Sequence, residues 1–201
     1  MKCYIVGAGD FYGEFTPGKD DLVIAADGGY DSLIQHGVRC DLLIGDLDSI
    51  NNTPRDTECI KYPVEKDDTD SFLAYREGAQ RGYTEFLLFG GTGGRLDHTY
   101  SNLALLHYAR INGHRMTVIG EGERIILIHN ESVSFSLPNG KHVSIFAVGG
   151  RASGVTISGL KYSLSDAELS VEFPLATSNL SLGKEATVSV GNGTLLIMME
   201  K

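Results

Sequence analysis

The sequence has no tryptophan, only three cysteines among 201 residues, and no long apolar run. A helix that spans a bilayer needs about 20 consecutive apolar residues, so we predict no membrane segment. The opening stretch MKCYIVGAGD has too short an apolar core for a signal peptide and is predicted to be a first strand. These absences favour a cytoplasmic protein. Cys3, Cys40 and Cys59 lack the spacing of a metal site, and we assign them no chemistry.

Positive charge is also scarce, with 17 Lys and Arg against 26 Asp and Glu and a net charge of −9. A protein that follows nucleic-acid phosphates needs a basic surface, so we predict no nucleic-acid partner. The acidic balance suits a cationic ligand or a divalent metal instead.

Several common signatures of catalysis are missing as well. The stretch GAGDFY resembles the start of a dinucleotide fingerprint, but Tyr12 stands where the third glycine is needed. The chain has no G-x-x-x-x-G-K-[ST] P-loop, and no Ser-His-Asp or Cys-His spacing indicates covalent catalysis. We therefore exclude a nicotinamide enzyme and a covalent nucleophile.

Residues 1–121 alternate short apolar runs with amphipathic segments, which predicts an α/β domain with a mostly parallel sheet. The predicted strands are CYIVGAG, DLVIAADGG, DLLIGD, ECIKYP, EFLLFGG and MTVIGE. One helix is predicted after EKDDTD, ending at Gly82, and another after GGRLDH, ending at Gly113. Ligands of such folds gather at the carboxyl ends of the strands.

Residues 122–201 change to short β-rich runs, which predicts an all-β antiparallel domain of sandwich or barrel-like form. The predicted strands are RIILIHN, SVSFSL, HVSIFAV, GVTISGL, LSVEF, ATVSV and TLLIMME. Asn139-Gly140 is a common signal for a hairpin turn.

Four polar stretches follow predicted strands of the first domain: ADGGY (26–30), GDLDS (45–49), EKDDTD (65–70) and GGTGGRLDH (90–98). In a parallel sheet they lie on one edge and converge on one crevice. Asp46 and Asp48 point the same way in an extended segment, which is unfavourable unless water, a cation or a metal compensates. Either could belong to a solvated turn.

The stretch EKDDTD has an ordinary alternative as a helix start, with Asp68 or Thr69 as the cap. Its four acids are more negative charge than a helix end can use: Glu65, Asp67, Asp68 and Asp70. Two nearby clusters of hard oxygen ligands favour Mg²⁺.

The glycines of GGTGG let backbone N–H groups approach an anion, and Arg95 can clamp phosphate oxygens; the alternative is a flexible turn. Asp97 either caps the helix or orients His98, and His98 is as readily a structural hydrogen-bonding group as a catalyst. Lys66 is a second phosphate contact or a solvated charge.

The motifs DGG, GDLDS, EKDDTD and GGRLDH, in this order and followed by a β-rich tail, resemble the thiamine pyrophosphokinase family over nearly the whole chain. The tail segments GLKYSL and TSNLSLG look like that family's thiamine-contacting segments, with Tyr162 where many members carry tryptophan. The resemblance implies transfer of the β,γ-pyrophosphoryl group of ATP to the hydroxyl of thiamine, giving thiamine diphosphate and AMP with Mg²⁺. It also implies a homodimer, with thiamine between the α/β domain of one subunit and the β domain of the other.

The resemblance and the chemistry of these residues together suggest roles. Mg²⁺ would be held, directly or through water, by four carboxylates: Asp46, Asp48, Asp67 and Asp70. ATP would contact Asp27, Gly28, Gly29, Lys66, Gly93, Gly94, Arg95 and His98. Thiamine would contact Tyr162, Ser178 and Asn179. An ordinary β-turn is the alternative explanation for Ser178 and Asn179. Asp97 or another carboxylate would accept the hydroxyl proton of thiamine.

Two other functions fit the same motifs. One is an Mg-ATP-dependent transfer to another small alcohol, with a different second pocket. The other is a non-catalytic sensor of thiamine or nucleotide on the same fold, although a pure binder has little need for so many paired carboxylates.

Overall fold

The computed structural model describes residues 1–46, 57–63 and 67–201. The chain divides into two compact units, Met1–Glu121 and Gly122–Lys201. Asp48 and Lys66, which the sequence placed in the site, lie outside the described residues. No helix in the described ranges is both long and apolar enough to cross a membrane.

The first unit alternates strands and helices. Its elements are β1 (Cys3–Val6), β2 (Leu22–Ala26), α1 (Gly29–Gln35), β3 (Leu42–Gly45), β4 (Glu58–Lys61), α2 (Asp70–Gln80), β5 (Glu85–Phe89), α3 (Leu96–Ile111) and β6 (Arg115–Ile119). The strands lie in the order β4-β3-β2-β1-β5-β6, and every neighbouring pair is parallel. The predicted parallel sheet is confirmed.

The central strands of the sheet in the first unit are buried on both faces. Strands β1, β2 and β3 are buried at every residue, as expected for parallel strands with helices packed on either side. Helix α2 begins where the Thr69 hydroxyl accepts a hydrogen bond from the Phe72 N–H at 3.3 Å. Helices α2 and α3 end just before Gly82 and Gly113, which have φ of 89° and 82°, so both predicted stops are confirmed.

The second unit consists of antiparallel strands, as predicted. They are β7 (Glu123–His129), β8 (Ser132–Ser136), β9 (His142–Ser158), β10 (Leu164–Leu169), β11 (Ala176–Leu180), β12 (Glu185–Ser189) and β13 (Asn192–Glu200). The first part of β9 pairs with β11 and β13, and its last part pairs with β10 and β12. Strand β9 is therefore shared by two sheets, and a buried core joins them through residues such as Val143, Ile145, Ile157 and Val188.

Three local predictions in the second unit are wrong. The runs HVSIFAV and GVTISGL are one strand, because Gly149 and Gly150, with φ of 74° and 141°, let β9 bend without ending. The turn at Asn139-Gly140 is not a hairpin, since β8 pairs with β12 and not with β9. The run LSVEF is not a strand, because β10 ends at its first residue, Leu169.

Candidate functional site

The carboxyl ends of the parallel strands bring the polar segments of the first unit together. Asp27 follows β2, Asp46 follows β3 and Gly90 follows β5. The strand order changes direction between β1 and β5, because β2, β3 and β4 lie on one side of β1 while β5 and β6 lie on the other. Open α/β sheets bind ligands at such a switch point.

Two glycine-containing loops meet at the switch point by direct backbone contact. The Gly7 N–H donates to the Phe89 carbonyl at 2.8 Å, and the Gly9 N–H donates to the Gly90 carbonyl at 3.1 Å. Gly90 has φ of 62°, and a Cβ atom there would lie 2.4 Å from the Gly7 carbonyl oxygen. Only glycine allows this close approach, so the loop after β5 is fixed against the loop after β1.

A cavity of about 150 Å³ lies in the first unit, lined by residues of three polar segments. It contains three of the predicted site residues, namely Asp27 after β2, Asp70 at the start of α2 and His98 in the first turn of α3. Sequence reasoning missed four polar residues that share this cavity: Thr69, Ser71, Ser101 and Asn102. Three of these four lie within helices, and no motif distinguishes them from ordinary helical residues.

Asp27 has an unusual backbone. Its φ of 49° lies in the left-handed region, which is uncommon for a residue other than glycine. Its N–H donates to the Ile44 carbonyl at 2.7 Å, and its carbonyl accepts from the Tyr30 N–H at 3.1 Å, so the surroundings impose this conformation. Strain of this kind is often found at functional positions and favours a role for Asp27 in the cavity.

The two glycines after Asp27 have a packing explanation. A Cβ atom on Gly29 would lie 1.9 Å from the Val6 carbonyl oxygen, and one on Gly28 would lie 3.3 Å from the Ala8 Cβ. Gly29 is thus required where α1 meets the end of β1. The contact that the sequence assigned to these glycines, backbone approach to ATP, is not needed to explain them.

The predicted metal carboxylates do not all share one cavity. Asp67 lines a second cavity of about 360 Å³ with Asp68, Tyr62 and Arg76, and Asp68 accepts a hydrogen bond from Arg76 at 2.8 Å. Over the described ranges, which omit Asp48, no three carboxylate, imidazole or thiol side chains are grouped as a metal site. The described carboxylates that line the smaller cavity together are Asp27 and Asp70.

Arg95 and Asp97 form a two-bond ion pair at the end of the glycine-rich loop. The Nε–Oδ1 distance is 3.1 Å and the Nη2–Oδ2 distance is 2.6 Å. This contact raises the pKa of Arg95 and lowers the pKa of Asp97. Asp97 does not cap α3, because Arg95 occupies the cap position. Asp97 Oδ1 accepts a hydrogen bond from the backbone N–H of His98 and not from its imidazole.

In the second unit, Tyr162 and Asn179 are joined by a pair of hydrogen bonds. The Tyr162 N–H donates to Asn179 Oδ1 at 2.9 Å, and Asn179 Nδ2 donates to the Tyr162 carbonyl at 2.7 Å. Tyr162 is 58% exposed, whereas Asn179 is 3% exposed. The Lys161 ammonium lies 5.2 Å from the centroid of the Tyr162 ring, so this ring already interacts with a cation.

Ser178 and Asn179 belong to strand β11, so an ordinary β-turn does not account for them. Ser178 has φ of 58°, and its N–H donates to the Ser144 hydroxyl at 3.0 Å. Asn179 Oδ1 also accepts from the Leu180 N–H at 2.9 Å. The Asn179 amide is thus engaged with the backbone, and its direct effect is to hold Tyr162.

A parallel sheet with a switch-point cavity, paired carboxylates and a glycine-rich loop before a helix is typical of enzymes that transfer phosphoryl groups. Residues 17–118 match the family model described as thiamin pyrophosphokinase, catalytic domain, and residues 126–195 match that of its vitamin B1 binding domain. The chain belongs to the thiamin pyrophosphokinase family. The resemblance given by the four motifs is thereby confirmed.

Individual relatives agree with this assignment. The thiamine pyrophosphokinase of Bacillus subtilis is 26% identical over 186 residues, which cover 88% of this chain and 86% of the relative. Thiamine pyrophosphokinase 2 of Arabidopsis thaliana is 28% identical over 215 residues, covering 97% of this chain and 75% of the relative. The crystal structure of thiamin pyrophosphokinase from Geobacillus thermodenitrificans superimposes with a TM-score of 0.87 at 25% identity, covering 100% of this chain and 98% of that one.

Proposed function

We propose that this protein transfers the β,γ-pyrophosphoryl group of ATP to the hydroxyl of thiamine, giving thiamine diphosphate and AMP. The observation that carries the proposal is the switch-point cavity in which Asp27, Asp70 and His98 come together beside the glycine-rich loop. Attack at a phosphoryl centre depends on positioning and charge neutralisation more than on covalent chemistry. Carboxylates, and groups that donate hydrogen bonds to phosphate, are provided at one edge of the sheet.

We propose that the nucleotide binds at the loops around this cavity. Asp27, Gly28, Gly29, Lys66 and His98 would contact ATP, and the backbone at Gly93 and Gly94 would approach its phosphates. Arg95 is 73% exposed on its side chain and pairs only with a neighbouring carboxylate in the described contacts. A phosphate group can replace Asp97 as its two-bond partner, because guanidinium binds both anions with the same planar geometry.

The donor chemistry fits Mg²⁺. Asp27 and Asp70 offer hard oxygen ligands in one cavity, and Mg²⁺ is usually held by one or two carboxylates together with waters and substrate phosphates. We propose that Asp46, Asp48, Asp67 and Asp70 hold the ion directly or through water, with Asp70 in the smaller cavity, Asp67 in the larger one and Asp27 as an additional carboxylate beside Asp70. When bound, Mg²⁺ would neutralise charge on the triphosphate.

The hydroxyl proton of thiamine requires an acceptor. While Asp97 is paired with Arg95 its lowered pKa makes it a weak base. When Arg95 binds phosphate instead, Asp97 is released as a candidate base. The carboxylates that line the cavity, Asp27 and Asp70, are the alternatives.

Thiamine is proposed to bind at the second unit through Tyr162, Ser178 and Asn179. Its thiazolium ring is a fixed cation, and the exposed face of Tyr162 is suited to it or to the neighbouring pyrimidine. Ser178 would contact the pyrimidine, and Asn179, which is almost fully buried, would act on thiamine by holding Tyr162. The vitamin B1 binding model that matches residues 126–195 supports this placement.

The reaction is tested by mixing purified protein with Mg·ATP and thiamine and separating the products by chromatography. We expect AMP and thiamine diphosphate in equal amounts, with activity lost when EDTA removes the metal. ADP as the product would contradict pyrophosphoryl transfer. Turnover with another small alcohol but not with thiamine would favour the different acceptor, and binding of both ligands without turnover would favour the sensor.

The homodimer, its thiamine site at the subunit interface and the cytoplasmic location stay predictions. Sedimentation of the purified protein tests the first. If a dimer forms, mixing a Tyr162→Ala chain with an excess of an Asp70→Asn chain tests the second, because a shared site has both halves intact once in each mixed dimer and so recovers the wild-type KM for thiamine, whereas a site within one subunit keeps the raised KM of Tyr162→Ala. Cell fractionation tests the third.

A further inference from the structure

We propose that Asn102 is a positioning residue for the nucleotide, and that it holds the glycine-rich loop of residues 90–94 in the shape that binds phosphate. The inference rests on the proposed function and adds a residue that lies outside all four motifs. It is carried by the burial of Asn102, by its hydrogen bond to the loop and by its place in the cavity wall.

Asn102 occupies a core position of α3. It is 7% exposed and is the first residue of a buried stripe that continues with Leu105, Leu106 and Ala109. An amide at such a position is unfavourable unless it is hydrogen-bonded. Its Nδ2 donates to the Gly91 carbonyl at 2.9 Å, so its one observed side-chain bond connects the helix to the loop.

This bond fixes the second of two consecutive peptide groups in the loop. The Gly90 carbonyl accepts from the Gly9 N–H at 3.1 Å, and the Gly91 carbonyl accepts from Asn102. The described peptide bonds are trans, and in a trans peptide the N–H points opposite to the carbonyl. Asn102 therefore directs the Thr92 N–H away from α3, just before the positive-φ residues Gly93 and Gly94.

The hydrogen bond from Asn102 to Gly91 lies where the nucleotide is proposed to bind. Asn102 lines the same cavity as Asp70 and His98, and His98 lies one turn earlier on the same helix. Without this hydrogen bond the glycine-rich loop has more conformations in the free protein, so binding phosphate costs more conformational entropy. Loss of Asn102 should therefore weaken nucleotide binding more than thiamine binding.

The test compares Asn102→Ala and Asn102→Leu with the wild-type full-length protein. Removal of one hydrogen bond to a buried carbonyl should raise the KM for Mg·ATP about tenfold, with the KM for thiamine changed less than about twofold. Calorimetric titration with the α,β-methylene analogue of Mg·ATP should show the same weakening without turnover. Asn102→Leu keeps the apolar stripe filled, so it separates loss of the bond from loss of folding, which thermal unfolding monitors.

A matched control lies on the same helix. Asn112 Nδ2 donates to the Tyr108 carbonyl at 2.8 Å, a bond of the same kind at the far end of α3. Asn112→Ala should leave both KM values unchanged. A folded Asn102→Leu protein with wild-type affinity for the analogue, or with equal losses for ATP and thiamine, would overturn the role of Asn102. A wild type that makes no thiamine diphosphate would overturn the proposed function, while the ratio of analogue affinities would still decide the role of Asn102.

Discussion

Asn179 illustrates how a buried residue can act through an exposed one. Two of its hydrogen bonds hold the backbone of Tyr162, at 2.9 and 2.7 Å, although the Asn179 side chain itself is almost entirely buried. Tyr162 in turn offers an exposed ring beside the Lys161 ammonium. If thiamine stacks on that ring, its affinity depends on Tyr162 and Asn179 through one shared interaction, because Asn179 acts only by holding Tyr162.

We predict that Asn179→Ala and Tyr162→Ala each raise the KM for thiamine roughly fivefold, the equivalent of about 1 kcal/mol of cation–π interaction. The KM for ATP should change little. The double variant should be no worse for thiamine than Tyr162→Ala alone, because the two residues contribute one interaction. Steady-state kinetics with each substrate varied in turn measures these values.

Asn130→Gly is the control for this prediction. Asn130 Oδ1 accepts from the Gly193 N–H at 2.8 Å, and glycine tolerates the φ of 51° at this position. This variant removes a side-chain-to-backbone bond without touching Tyr162, so the KM for thiamine should stay at the wild-type value. Additive effects of Asn179→Ala and Tyr162→Ala would show that Asn179 contacts thiamine independently.

At the scale of elements, α2 packs against the sheet through a glycine. Gly78 is buried, and a Cβ atom there would lie 2.8 Å from Cys3 Sγ and 2.9 Å from Phe86 Cε1. Cys3 and Phe86 are at most 1% exposed, so neither side chain can move aside easily. The helix approaches β1 and β5 closely because this position has no side chain.

We predict that Gly78→Ala destabilises the fold. Overpacking a core costs about 1–3 kcal/mol, whereas alanine gains only about 1 kcal/mol of helix propensity over glycine, so the net loss should be about 1 kcal/mol. Chemical denaturation measures the free energy of unfolding. Adding Cys3→Ala to Gly78→Ala should return part of this loss, since the Sγ atom is removed; a Gly78→Ala protein more stable than the wild type would contradict the close packing.

The elements that the sequence predicted well are those whose signal is local and strong. Strands β1, β2 and β3 are continuous apolar runs, and the ends of α2 and α3 are marked by Gly82 and Gly113. Helix α1 was missed, because it starts at Gly29, a poor helix former, and is stabilised by burial of Tyr30 and Leu33. Strand β9 was split for a similar reason, since glycine marks a break locally while strand pairing continues beyond it.

The site was predictable to the extent that it depends on topology. Asp27, Asp70 and His98 were expected to converge because they follow parallel strands, and one cavity does contain them. Asn102 could not be recognised, because a buried amide in a helix has no sequence pattern of its own, and Asn179 was named from the family resemblance as a thiamine contact without its hydrogen bonds to Tyr162. Their roles follow from which carbonyl or N–H each one meets, and that is determined by tertiary packing.

At the scale of the whole molecule, 26 Asp and Glu side chains take up protons in acid, and stability changes there wherever a carboxylate has a different pKa in the folded and unfolded chain. One carboxylate stands out in the second unit. Glu200 accepts hydrogen bonds from the His142 N–H at 3.0 Å, from the His142 ring at 2.9 Å and from Lys141 at 3.0 Å. These bonds, the His142 N–H first, lower the pKa of Glu200 from 4.5 to about 2.

A carboxylate whose pKa is lower in the folded state stabilises that state fully above its unfolded pKa, and the stabilisation disappears as the pH falls through the folded pKa. For Glu200 this window runs from 4.5 down to about 2. We therefore predict that Glu200→Gln lowers the Tm at pH 6 and that the difference from the wild type shrinks steadily as the pH approaches 2. Lys141→Ala removes one of the three bonds and should show an intermediate pH dependence. Thermal unfolding across this pH range provides the comparison, and parallel curves for the wild type and Glu200→Gln would mean that Glu200 titrates alike in the folded and unfolded chain.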